Sequence, residues 1–155
     1  MKAGLRIICV CLSCSVLAAC GASSPSNRQQ IESLFNGMYS AFANGDYATV
    51  CTDLSQRQRN NIVSGARRAG LSASSCTDAF NAILKQAGIS KAQIAQAYGA
   101  SGITHKLDSI SVHGDQATVT FTESEKGQSS VETDALVREG GQWRADRIIK
   151  RSQPG

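Results

Sequence analysis

The apolar residues of this chain change their spacing once, at Gly102, from the three-and-four step of helices to the alternation of strands. That switch limits the fold to helices first and a sheet afterwards. Upstream, Ile31, Leu34, Phe35, Met38, Tyr39 and Phe42 form one stripe, with Ser26 or Asn27 as its start signal and Asn44-Gly45 as its stop. Asp46 caps a short segment carrying Tyr47, Val50 and Cys51. Ser55, with Gln58 at capping-box spacing, opens a helix that runs to Ala69 with a thin apolar face of Ile62, Val63 and Ala66. Ser75 opens another, whose stripe is Cys76, Ala79, Phe80, Ile83, Leu84 and Ala87. Ser90 and Gln93 form a further capping box, for a short helix ending near Tyr98-Gly99. Downstream, residues 107–112, the alternation of Ala117, Val119 and Phe121, residues 131–138 and residues 143–149 predict four strands. Turns at His113-Gly114-Asp115 and Glu139-Gly140-Gly141-Gln142 join them as a meander, so the fold class is α+β.

Ahead of this domain lies a leader. Lys2 and Arg6 supply a short positive region, and residues 7–19 form an apolar run broken only by Ser13, Ser15 and three cysteines. Thirteen residues fall short of the roughly 20 that a membrane-spanning helix needs, which favours an export signal over a permanent anchor. The run closes on Leu17-Ala18-Ala19-Cys20, which resembles the lipobox of bacterial lipoproteins. That resemblance implies cleavage before Cys20 and a lipidated cysteine at the new N-terminus, with enough acyl chains for stable anchoring at the extracytoplasmic face of the cell membrane. Residues 20–27, Cys-Gly-Ala-Ser-Ser-Pro-Ser-Asn, are small and polar, as a flexible linker is. Residues 28–150 then form one domain and residues 151–155 a tail.

Loss of residues 1–19 removes Cys9, Cys11 and Cys14, and lipid takes the thiol of Cys20. Cys51 and Cys76 remain. In an oxidising compartment such a pair is expected to form one disulfide, two buried free thiols being the alternative. Two cysteines 25 apart lack the paired spacing of a zinc site. The net charge of +4 falls to +2, since both leader charges are basic. So mild a balance on an exported chain argues against nucleic acid as a partner. Arg57, Arg59, Arg67 and Arg68 make one basic group, and Arg144, Arg147, Lys150 and Arg151 another; solvated faces are the plain reading, contact with anionic lipid or wall polymer the minority one.

A first helix ending in Asn44-Gly45-Asp46-Tyr47, helices bearing Cys51 and Cys76, and hairpins at Gly114-Asp115 and Gly140-Gly141-Gln142-Trp143 together resemble small exported nuclear transport factor 2-like domains, also called SnoaL-like. Actinobacterial lipoproteins are the set this order is most similar to. The resemblance spans roughly residues 28 to 150 and implies a curved antiparallel sheet with helices across its concave side, forming a cone that can hold a pocket. Tyr39, Phe42, Phe80 and Tyr98 are the aromatic residues expected to meet an apolar ligand there. A fold of this kind chooses no function by itself.

Enzymes among such domains, of the ketosteroid isomerase and cyclase kinds, need acids, bases or donors inside the cone, within hydrogen-bond reach of the substrate. The players in this chain are Tyr39, His105, Glu123, Asp134 and Asp146. Tyr39 is more readily a core residue, His105 precedes the first strand, and the three acids have ordinary solvent-facing readings. None matches the family's aspartate pair, so no catalytic residue is assigned. His105 and His113 make no metal motif, and no nucleophile elbow or phosphate loop is present. No cofactor is implied. The expected function is a lipid-anchored envelope domain, non-catalytic, binding a small apolar ligand or an envelope protein, with an isomerase- or cyclase-type enzyme as the alternative. Cys20→Ala should abolish metabolic labelling by fatty acid and release the protein from membranes; continued acylation would refute the lipobox.

Overall fold

The computed structural model describes residues 25–125 and 127–152, apart from the side chains of residues 99–101. The leader, Cys20 and most of the linker lie outside the described residues, as do residues 153–155. The helices come first: α1 (Asn27–Ala43), α2 (Tyr47–Asp53), α3 (Gln56–Arg68), α4 (Cys76–Gln86) and α5 (Lys91–Ser101). The strands β1 (Thr104–His113), β2 (Gln116–Glu125), β3 (Gln128–Glu139) and β4 (Gln142–Arg151) then form an antiparallel sheet in the order β1-β2-β3-β4. The domain is α+β, with helices laid over one face of a bent sheet, as the resemblance implies. Among the described residues no helix is long and apolar enough to cross a membrane.

Local chemistry sets each helix start. Ser26 and Gln29 close a reciprocal capping box on α1, and Ser90 and Gln93 do the same for α5. Ser75 pairs with Asp78 on α4, where the negative side chain also suits the helix N-terminus. At α3 the expected box is only half made. Ser55 accepts from the Gln58 amide, but its own N–H donates to the Ala145 carbonyl at 2.8 Å instead of to the Gln58 side chain. Its hydroxyl donates to Asp146 Oδ1 at 2.7 Å, and the Gln56 amide donates to the Glu139 carboxylate at 3.0 Å. A strand has taken the place of the helix's own side chain, fixing the entry of α3 to the sheet.

The central core forms where α1 lies over the sheet. Ile31, Leu34 and Phe35 pack on Ala117, Val119, Phe121, Leu136 and Trp143, all buried. β-Bulges interrupt β1 between Leu107 and Ser109, and the β3–β4 pairing after Thr133 and after Ala135. Each adds local twist and bends the strand, curving the sheet toward the helices. Beneath α3 and α4, Cys51, Leu54, Cys76 and Ala145 make a second packed group.

Cys51 and Cys76 form a disulfide, joining α2 to the first residue of α4 across 25 positions. Closing a loop of that length should contribute about 3 kcal/mol in the chain-entropy account. Reduction, or replacement of both cysteines by Ala, is therefore expected to lower Tm by about 10 °C. Thermal melts with and without reductant check this, and an unchanged Tm refutes it.

Most residues of the two basic groups are exposed, as solvated faces are, but several also reach internal partners. Arg57 forms an ion pair with Asp146, and Arg59 binds the Leu54 carbonyl and faces Glu139 at 3.6 Å. Arg67 donates to the Ala73 carbonyl at 2.8 Å, Arg144 faces Asp53 at 3.6 Å, and Arg151 pairs with Glu132.

Candidate functional site

The inward face of the sheet changes character along its length. Near the β3–β4 turn it is apolar: Ala117 lies opposite Leu136, which lies opposite Ala145, with Trp143 closing the end. Moving away from that end, Val119 faces Asp134, Phe121 faces Glu132, and Glu123 faces His105. Strand alternation puts Phe121 and Glu123 on one face and Leu136, Asp134 and Glu132 on one face, so the same surface that closes the core goes on to carry three carboxylates. Glu132 and Asp134 keep only 6% and 7% of their surface exposed.

His105 stands within β1, which begins at Thr104, and not ahead of the strand as the sequence suggested. The stretch Thr-His-Lys offers no apolar alternation because its inward residue is the histidine. Tyr39 of α1 lies flat against that ring, with centroids 3.5 Å apart and planes within 7°. Phe121 meets both rings more steeply, at 6.3 Å from each. The histidine Nδ1 sits 3.8 Å from Glu123, too far for a hydrogen bond, and has no hydrogen-bond partner among the described residues. Burial lowers the His105 pKa, with the nearby Glu123 and Glu132 opposing, so the imidazole is held neutral at pH 7. Burial raises the Tyr39 hydroxyl, and Glu132, Glu123 and Asp134 push it further the same way.

A cavity of about 330 Å³ opens beside this stack, between α1 and β1. Phe35, Tyr39, Leu107 and Phe121 give it apolar walls, His105 a polar edge, and Glu32, Asn36 and Lys106 complete its lining. A second hollow, over the disulfide, contains Arg59 and Arg144, but both are already paired with acids.

Of the residues singled out from the sequence, Tyr39, His105, Glu123 and Asp134 come together on one side of the molecule. Asp146 does not join them; buried at the foot of α3, it is held by Ser55 and Arg57. Asp134 and Asp146 are thus interior rather than solvent-facing. Phe42, Phe80 and Tyr98 gather with Tyr47 into an aromatic group of their own, Phe42 lying 5.5 Å from Tyr98 and 6.3 Å from Phe80. Glu132 and Arg151 were missed, although alternation back from Leu136 through Asp134 would have found Glu132. Among the described residues no group of three His, Cys, Asp or Glu side chains is placed to hold a metal ion.

Asp134 is the most perturbed acid. Burial, with the Glu132 carboxylate beside it, raises its pKa to about 7, while Arg151 pulls the other way. The unfolded carboxyl titrates near 3.9, so between about pH 4 and pH 7 the native state holds a proton that the unfolded state has lost. Stability from this group is present at acid pH and falls as pH rises through 7. Glu132 on β3 and Arg151 on β4 are the charged groups that act on it. Asp134→Asn should flatten the decline of Tm between pH 5 and pH 8, and raise Tm at pH 8 by several degrees; parallel melting profiles for the two proteins would overturn the assignment.

No family model and no curated protein matches the sequence. Solved structures similar to it include a nuclear transport factor 2-like protein of unknown function from Silicibacter pomeroyi, 17% identical over 78% of this chain and 94% of that one, with a TM-score of 0.45. A putative dehydratase of the nuclear transport factor 2-like family from Streptomyces avermitilis is 19% identical over 79% of this chain and 96% of that one, with a TM-score of 0.41. A DUF4783 family protein from Bacteroides ovatus is 10% identical over 77% and 94%, with a TM-score of 0.40.

Proposed function

We propose that the chain is a lipid-anchored, extracytoplasmic domain of the cell envelope that binds a small, largely apolar molecule in the cavity between α1 and β1. The observation that carries this reading is the Tyr39–His105 stack at the wall of a cavity that Phe35, Leu107 and Phe121 also face. Small-molecule sites have this size and this mixture, with apolar walls for affinity and a few polar groups for orientation. An envelope protein is the other form of partner; the concave shape favours a small molecule. The anchor rests on the Leu-Ala-Ala-Cys run and would keep the site within a short linker's reach of the membrane.

Asp134 favours a second reading, proton transfer on the bound molecule. A buried carboxyl with its pKa raised to about 7, on the same sheet face as a neutral histidine, is suited to exchange protons at neutral pH. Solvent deuterium entering a retained ligand would support that reading, and its absence would leave binding alone.

Leu107→Trp should fill the cavity without touching the disulfide or the α3 junction. Native mass spectrometry after a gentle purification is expected to show a small-molecule adduct on the parent protein, lost in the variant while circular dichroism is unchanged. A parent protein that is always empty, and takes up no small apolar probe, refutes the binding reading.

A further inference from the structure

We propose that the free edge of β4, from Arg147 to Arg151, is where the domain rests on an anionic phospholipid surface. This rests on the anchored reading above and adds the face that meets the membrane. β4 ends the sheet, and on its outer side Ala145 carries the Leu54 bridge and the bond from the Ser55 amide. Beyond Ala145 no strand lies along that side among the described residues. Two neighbouring isoleucines, Ile148 and Ile149, stand there 54% and 50% exposed. Around them Arg57, Arg147 and Arg151 are each a little more than half exposed, and Lys150 is exposed too. The acids that reach these cations, Asp146 and Glu132, are buried beneath them. The outward charge is therefore positive.

Charge and apolarity together select the occupant. Cations are drawn to an anionic leaflet, and isoleucines beside them gain by leaving water at the boundary of headgroup and acyl chain. A second copy of the chain is disfavoured, because pairing two such edges would bring the Arg147, Lys150 and Arg151 side chains of both copies together. A dissolved anionic polymer would satisfy the cations but leave the isoleucines in water. The tether also reaches. α1 begins at the Trp143 end of β4, where the Asn27 side-chain oxygen lies 3.4 Å from the indole nitrogen, and Ile148 is about 17 Å of strand farther on. The stretch from Cys20 to Asn27 spans at most about 25 Å. A lipidated Cys20 can thus sit in the same leaflet that the β4 edge touches, giving one anchor and one basic contact.

The lipidated protein is placed in vesicles of phosphatidylcholine alone or with about one-third phosphatidylglycerol, and amide hydrogen exchange is followed by mass spectrometry. Residues 147–151 should exchange at least about threefold more slowly on the anionic vesicles, and high salt should remove the difference. Arg147→Gln with Lys150→Gln should remove it, and so should Ile148→Ser with Ile149→Ser. All four sites are exposed, and circular dichroism verifies folding of both variants. Equal exchange on the two kinds of vesicle, or slowing confined to other segments, overturns the β4 assignment and leaves the anchor standing. A difference that survives either double variant overturns the assignment to these side chains. Equal slowing by soluble polyphosphate overturns the membrane as the occupant. A protein that floats with neither vesicle overturns the anchored reading, and this proposal with it.

Discussion

One continuous sheet surface has to do two incompatible things, and the structure turns on how it divides them. From Trp143 to Phe121 the inward face is dry and packed against Ile31, Leu34 and Phe35, where burial of apolar area supplies the driving force for the fold. From Glu132 onward the same face carries ionisable groups that water can no longer fully solvate. The packed half holds the polar half in place. Without the α1 stripe clamped on β2 and β3, Glu132 and Asp134 would turn to solvent and recover their hydration.

The bulges and the α3 junction follow from the same division. A flat sheet could not bring β1 under α1 while β4 meets the foot of α3; the extra residues in β1 and β4 bend it so that both contacts form. Asp146, buried at the bend, is tolerable because Ser55 and Arg57 satisfy it together. The neighbouring Ala145 carbonyl takes the Ser55 N–H that a full capping box would give to the Gln58 side chain. Tertiary bonding outranks the local capping pattern.

Much of this was legible in the sequence. The α1 stripe, the switch at Gly102, the four strands and the cysteine pair all declare themselves through periodicity and turn chemistry, because they are positions where local preference and global packing agree. His105 was hidden for the opposite reason. Apolar alternation locates a strand by what it buries, and β1 buries a histidine where the pattern calls for an aliphatic residue, so its first turn of pairing is silent. Glu132 and Asp134 were obscured the same way, since carboxylates on the inward face of β3 break the apolar alternation that would mark it as inward. For the basic residues, composition shows charge and not pairing: Arg57, Arg144 and Arg151 find carboxylates from distant parts of the chain.

Asn27 gives the molecule a direction. Its side-chain oxygen accepts from Arg138 at 2.7 Å and lies 3.4 Å from the Trp143 indole nitrogen, while the Arg138 guanidinium covers the indole ring at 4.6 Å. The chain therefore enters the domain at its apolar, closed end, twelve residues and about 18 Å of helix from Tyr39. A pull transmitted through the preceding segment would load this knot of polar and aromatic contacts in shear instead of unzipping α1 from its tip. The cavity beside Tyr39 opens farther along α1 from that knot.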